Sequence, residues 1–145
     1  MLHDIRTARA LAYAIFFVGL ASVAGADPVV ETVSAEELSR LLDEGVKVID
    51  VRRADEWRAT GVIPGSRIIT AFDAQGYLNP HFIEEVSVLV GRSQSVALIC
   101  RSGNRSAAAA QLLVEQLDYA HVYNVAGGIQ EWLREGRPVS ACKSC

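Results

Sequence analysis

Cys100 is followed by Arg101, Ser102, Gly103, Asn104, Arg105 and Ser106, which sets one thiol among two guanidiniums, two hydroxyls and a glycine. The nucleophilic form of cysteine is the thiolate. Cationic side chains so near it, with the successive backbone N–H groups of a tight loop, favour that form. The segment therefore reads as a reactive cysteine in an anion cradle, its thiol ionising below the free-thiol range. Gly103 can adopt the backbone angles a tight cradle requires. A lone cysteine is as often a small core residue; two arginines beside it are poor company for a neutral apolar side chain.

A cradle needs elements that hold it. Val96 to Ile99 is a short apolar run after the polar Gly91–Ser95 turn, as suits a fully buried strand of a parallel sheet. Ser106 to Leu117 reads as an alanine-rich helix. Cys100 thus falls at the carboxyl end of a strand, where open α/β sheets bind ligands, facing the unpaired N–H groups of the next helix. Upstream, Thr32-Val33 is a candidate first strand. Ser34-Ala-Glu-Glu37 has capping-box spacing for a helix running to Glu44 and stopped by Gly45. Val46–Val51 reads as a strand and Ala54–Ala59 as a short helix. Gly61–Gly65 is a turn into Ile68-Ile69, and Asn79-Pro80 opens a helix to about Val90. His121–Val125 is the last strand, followed by Ala126-Gly-Gly128 and a helix over Ile129–Glu135. This alternation predicts a three-layer α/β domain. If their strands run parallel, Asp50 and Arg52 share a sheet edge with Cys100.

The two ends read differently. Arg6 and Arg9 precede Ala10–Ala26, seventeen residues without a charge that end in Ala24-Gly-Ala26. This describes a signal peptide over residues 1–26, cut before Asp27, and a domain over 27–145 located in the periplasm or secreted. An uncleaved membrane anchor is the alternative, with seventeen residues at the short edge of spanning length. Taking Asp4, Arg6 and Arg9 from the whole chain's 17 acidic and 14 basic residues leaves 16 and 12, a net charge of −4. That balance argues against nucleic-acid binding. The remaining 119 residues are enough to bury a core without disulfides. Cys142 and Cys145 can pair with each other in an oxidising compartment, leaving Cys100 free. The tail after Pro138 is expected to be irregular and mobile.

Four segments together resemble the rhodanese family of single-domain sulfurtransferases: Val48-Ile-Asp-Val-Arg52, Glu56-Trp57 with Gly61-Val-Ile-Pro-Gly-Ser66, Cys100–Ser106, and Ala126-Gly-Gly-Ile-Gln-Glu-Trp132. They stand in the family's order over about residues 31–139. The resemblance implies a central, mostly parallel five-stranded sheet with helices on both faces. It implies that Cys100 carries sulfur as a persulfide, from a donor such as thiosulfate to cyanide, a small thiol or a protein acceptor. Residues 101–106 would bind the substrate anion, with no cofactor, metal, nucleic acid or lasting membrane association. Arg101 and Arg105 either attract the donor's sulfonate or brace the loop by pairing with Asp50 or Glu56. Asp50, Arg52, Trp57 and Trp132 read as scaffold, Asp50 and Arg52 as supports of the site. The family's two-domain enzymes carry lysine where Ser102 stands, and its common histidine before Ile-Pro-Gly is Val62 here.

Rival functions can be read from the same cysteines. Cysteine phosphatases and arsenate reductases also hold an oxyanion beside a cysteine, but phosphatase cradles place five residues between Cys and Arg. Cys100 and Arg105 enclose four, a tighter cup suited to one extra sulfur. A sulfur-relay or redox module would use Cys142-Lys-Ser-Cys145, although catalytic pairs of that spacing usually sit where a strand meets a helix. A cysteine protease needs a histidine base, and neither His81 nor His121 has a clear route to Cys100.

Overall fold

The computed structural model describes residues 29–143 and 145, so the signal segment expected over residues 1–26 lies outside the described residues. Strands β1 (Val29–Val33), β2 (Lys47–Asp50), β3 (Arg67–Ile68), β4 (Val96–Ile99) and β5 (His121–Val125) form one sheet in the order β1-β5-β4-β2-β3. Every neighbouring pair is parallel, where the resemblance implied a mostly parallel sheet. Helices α1 (Ala35–Asp43), α2 (Ala54–Thr60), α3 (Phe82–Leu89) and α4 (Asn104–Leu117) make the connections, and α5 (Gly128–Arg134) follows the last strand.

The central position of β4 explains its composition. Paired on both edges and covered on both faces, all four of its residues are buried, which a run of Val, Ala, Leu and Ile satisfies without a polar group to compensate. Val96, Leu98 and Cys100 point to one face, packed with Phe82 and Val86 of α3 and Ala109, Ala110 and Leu113 of α4. Ala97 and Ile99 point to the other, with Ala35 and Leu38 of α1 and Ile129 and Trp132 of α5. The large aliphatic residues among these each contribute about 1.5–3 kcal/mol by leaving water. The same two-residue alternation that builds the core aims Cys100 at the α4 side.

Several boundaries differ from the sequence reading. β1 begins at Val29, because its whole length pairs with β5, Val29 opposite His121 to Val33 opposite Val125. As an edge strand with exposed Val29, Glu31 and Thr32 it lacks the apolar alternation that marks a strand. α3 begins at Phe82, with Asn79 Oδ1 accepting from the His81 N–H at 3.0 Å in a turn that precedes the helix rather than capping it. α4 begins at Asn104, so Asn104, Arg105 and Ser106 form its first turn. α1 carries the expected capping box, Ser34 Oγ accepting from the Glu37 N–H at 3.1 Å and Glu37 Oε2 from the Ser34 N–H at 2.7 Å.

Among the described residues the tail after Pro138 holds no helix or strand, as expected, but it contacts the rest of the domain. Ser140 and Val62 exchange backbone hydrogen bonds of 2.8 and 2.9 Å as an antiparallel bridge. The Trp132 indole N–H donates to the Pro138 carbonyl at 2.9 Å, and Arg137 lies 5.3 Å over the Trp132 ring. Arg58 donates to the Cys145 carbonyl at 2.8 Å. These contacts join the segment to the domain through its backbone and the face of Trp132. Gly61 permits the bridge, since a Cβ there would stand 2.7 Å from the Ser140 carbonyl oxygen. Cys142 and Cys145 are joined by a disulfide, and Cys100 is free. No helix among the described residues is long and apolar enough to cross a membrane.

Candidate active site

The chain turns to opposite faces after β4 and β5: α4 covers one side and α5 the other. Cys100 stands at that divergence, the position where doubly wound sheets open a crevice. The three residues 101–103 carry the chain from β4 into α4. Gly103 closes the turn in the left-handed region at φ 99°, and its N–H donates to Cys100 Sγ at 3.1 Å. One helical turn later the Ser106 hydroxyl lies 3.3 Å from the same sulfur. Helix entry at Asn104 places the unpaired N–H groups of the first turn beside the thiol.

Burial by itself pushes the Cys100 thiol up. The Ser106 hydroxyl and the backbone N–H groups of Ser106, Ser102 and Gly103 outweigh it, and the thiol ends below its ordinary value. The sequence reading assigned that stabilisation partly to arginine. Arg105 makes a two-pronged pair with Glu56, Nη1 to Oε2 at 2.7 Å and Nη2 to Oε1 at 2.6 Å, and still feels the charge of Cys100. Of its two possible roles the bracing one is realised, with Glu56 as the partner. Arg101 is exposed and makes no ion pair among the described residues. It lines a hollow of about 410 Å³ with Arg53, Glu56, Gln130 and Leu133. A roomier hollow of about 500 Å³ lies between β3 and α3, lined by none of residues 100–106.

Asp50 and Arg52 support the brace from below. Asp50 Oδ2 accepts from Arg52 Nη2 at 2.6 Å, both side chains essentially unexposed. Arg52 spends its remaining donors on Thr60 Oγ1 at 2.6 Å, the Gly61 carbonyl at 2.9 Å and the Glu56 carbonyl at 3.4 Å. The buried pair fixes α2, α2 presents Glu56, and Glu56 holds Arg105 at the head of α4. Neither Asp50 nor Arg52 bonds the sulfur. Ser102 and Asn104 are exposed on the rim, and Ser102 offers its backbone rather than its hydroxyl.

Glu56 makes this brace measurable. Burial alone raises its carboxyl, but Arg105, then the Arg53 N–H, hold it down at about 2 against an ordinary 4.5. A carboxyl depressed in the folded state stabilises fully above its unfolded value, and that stability is lost as pH falls from about 4.5 toward 2. The interactions of the Glu56 carboxylate with Arg105 and Arg53 together are worth about 2–3 kcal/mol on that basis. Urea denaturation should show the wild type losing that much more stability than Glu56→Gln between pH 6 and pH 2.5. Equal losses would mean that Glu56 and Arg105 contribute nothing net.

Two contributors were invisible as such in the sequence. Gly127 and Gly128 appear there only as a break before a helix. In the structure the Ile129 N–H donates to the Cys100 carbonyl at 2.8 Å and the Gln130 N–H to the Arg101 carbonyl at 3.2 Å. Only a residue without Cβ lets α5 come so close, since a Cβ on Gly128 would lie 2.7 Å from the Arg101 carbonyl carbon and oxygen. Asn124 is the other, buried on β5 with Oδ1 2.7 Å from Ser106 Oγ. A β-branched strand of that length signals nothing about one amide within it. No group of three or more His, Cys, Asp or Glu among the described residues is placed to hold a metal ion.

Comparison with known proteins adds a family. A family model described as a rhodanese-like domain matches residues 34–135. The chain is 36% identical over 114 residues to a protein of Allochromatium vinosum named sulfurtransferase, covering 77% of this chain and 96% of that one. It is 32% identical over 116 residues to thiosulfate sulfurtransferase 18 of Arabidopsis thaliana, covering 77% and 84%. A crystal structure of a rhodanese-related protein from Thermoplasma volcanium matches it with a TM-score of 0.60 at 32% identity, over 77% of this chain and 99% of that one.

Proposed function

This chain belongs to the rhodanese-like family, with relatives named sulfurtransferases, and from that premise we propose that it transfers sulfane sulfur through a persulfide on Cys100. The observation that carries the reading is the convergence of the Gly103 N–H and the Ser106 hydroxyl on one buried sulfur, at 3.1 and 3.3 Å.

The steps follow from that geometry. The Cys100 thiolate attacks the outer sulfur of thiosulfate, an S–S bond forms, and sulfite leaves with the electron pair of the bond that breaks. The resulting persulfide is an anion whose terminal sulfur lies further out than Sγ, toward the rim of N–H groups at the head of α4. Cyanide or a thiolate then attacks that terminal sulfur, taking it and returning Cys100 as a thiolate. Small sulfur donors and acceptors suit a cradle formed by three loop residues and one helical turn. Arg101, exposed at the mouth, attracts the anionic donor, while Arg105 keeps the cradle's shape.

Phosphate-ester hydrolysis is less well supported. An ester phosphate needs a wider ring of donors with a free guanidinium, and here Arg105 is committed to Glu56. Intact-mass measurement after treatment with thiosulfate tests the proposal directly. The expected result is a gain of one sulfur atom, lost again on adding cyanide. No gain with thiosulfate, together with turnover of an aryl phosphate, would overturn it in favour of a phosphatase.

A further inference from the structure

The Ser106 hydroxyl has one proton and three acceptors within reach: Cys100 Sγ at 3.3 Å, the Gly103 carbonyl at 3.1 Å and Asn124 Oδ1 at 2.7 Å. With Asn124 Oδ1 facing it, the shortest contact draws the proton away from the sulfur. If the proton is instead turned to a thiolate, two oxygens face each other at 2.7 Å with no hydrogen between them, which is repulsive. The amide can remove this conflict. Asn124 Nδ2 has no protein partner among the described residues, so turning the amide over breaks no bond to protein at that end and presents an N–H to Ser106 Oγ.

We propose that Asn124 is a positioning residue for the Cys100 thiolate: its amide donates to Ser106 in the reactive state, releasing the Ser106 proton to the sulfur. The fold sets up this relay. Asn124 sits opposite Leu98 across the β4–β5 ladder, two residues beyond Val122, which packs on the α4 side with Cys100. It therefore faces the first turn of α4, where Ser106 is fully buried. A buried, mutually oriented chain of this kind is stronger than an exposed one because water does not compete for its donors. The relay deepens the sulfur-transfer reading, since a persulfide leaves Cys100 as a thiolate and Ser106 must be ready to donate to it.

The charged groups around the sulfur are Arg101 in the loop, Arg105 on α4, Glu56 on α2 acting through Arg105, and Asp50 and Arg52 at the end of β2. Asn124→Leu leaves all of them in place and keeps the side chain's size. The test is the pH dependence of Cys100 alkylation by iodoacetamide, with Cys142 and Cys145 left as their disulfide. In Asn124→Leu the midpoint should rise by about one pH unit. In Asn124→Asp it should rise further, because a carboxylate holds the Ser106 proton and adds negative charge. In the Ser106→Ala background Asn124→Leu should add no further shift, a coupling that a merely structural asparagine would not produce. Should Asn124→Leu fail to fold, Asn124→Thr, which suits a strand and stops short of Ser106, is measured in the same way. An unchanged midpoint, or an equal shift with and without the Ser106 hydroxyl, overturns the proposal. The readout is thiolate formation rather than sulfur transfer, so its failure is distinguishable from failure of the activity itself.

Discussion

Cys100→Ser is expected to lower sulfur transfer by more than about a thousandfold while the protein stays folded. Serine keeps the size of the side chain, and its oxygen can accept from the Gly103 N–H and the Ser106 hydroxyl as the sulfur does. What disappears is the chemistry. A hydroxyl does not ionise near neutral pH and forms no persulfide, and the histidines among the described residues, His81 and His121, are exposed and do not bond it. Activity should be followed as thiocyanate formation from thiosulfate and cyanide, with thermal unfolding measured in parallel. Activity within tenfold of wild type in a folded variant would place the sulfur carrier elsewhere, with Cys142 and Cys145 the remaining cysteines. A large drop in melting temperature would instead mean that the thiol itself holds the loop together.

Gly128→Ala should be nearly as damaging, although residue 128 touches no substrate. A Cβ at this position overlaps the Cys100 carbonyl and stands 2.7 Å from that of Arg101, on a backbone with φ of 56°. The atoms it meets are backbone and cannot swing aside. Either α5 withdraws, breaking the bonds from the Ile129 and Gln130 N–H groups, or the loop shifts and carries Cys100 with it. We expect a loss of about 2–4 kcal/mol in stability and, below the melting temperature, a loss of more than about a hundredfold in activity from the displaced thiol. Gly136→Ala is the control, because Gly136 has a similar φ of 69° with no atom within 4 Å of an added Cβ. It should cost about 1–2 kcal/mol for the backbone alone and leave activity intact. Equal effects of the two substitutions would mean that the approach of α5 to the loop is unimportant.

Much of the architecture was legible because the core obeys simple periods. β4 announces itself as a short, wholly apolar run, α1 by its capping box, and the Cys100 loop by residues that no core position needs. The misreadings have local causes. β1 is an edge strand whose pairing, not its pattern, defines it. Asn79 and Pro80 carry helix-start chemistry but spend it on a turn. α4 starts before its first apolar residue, since Gly103 rather than a polar side chain marks its entry. At the site, the thiol, the glycine and the nearby charges could be read from adjacency. Arg105 could not be assigned to Glu56 rather than to a substrate, since the two lie 49 positions apart. Gly128 and Asn124 were beyond reach because their importance lies in what stands across from them, on a neighbouring helix or strand.

The sheet order also sets a timetable for folding. β1 lies at the edge of the sheet and pairs only with β5, which follows it by ~90 residues, and β5 in turn bridges β1 to β4. As the chain is synthesised, β1 has no partner until β5 has been made, and closing so long a loop is slow compared with pairing neighbours. The nucleus should therefore form among β2, β4 and the helices α2 and α3 between them, with β1 docking last. A chain whose β1 stays unpaired until β5 emerges remains available, during that interval, to whatever machinery acts on an unfolded polypeptide.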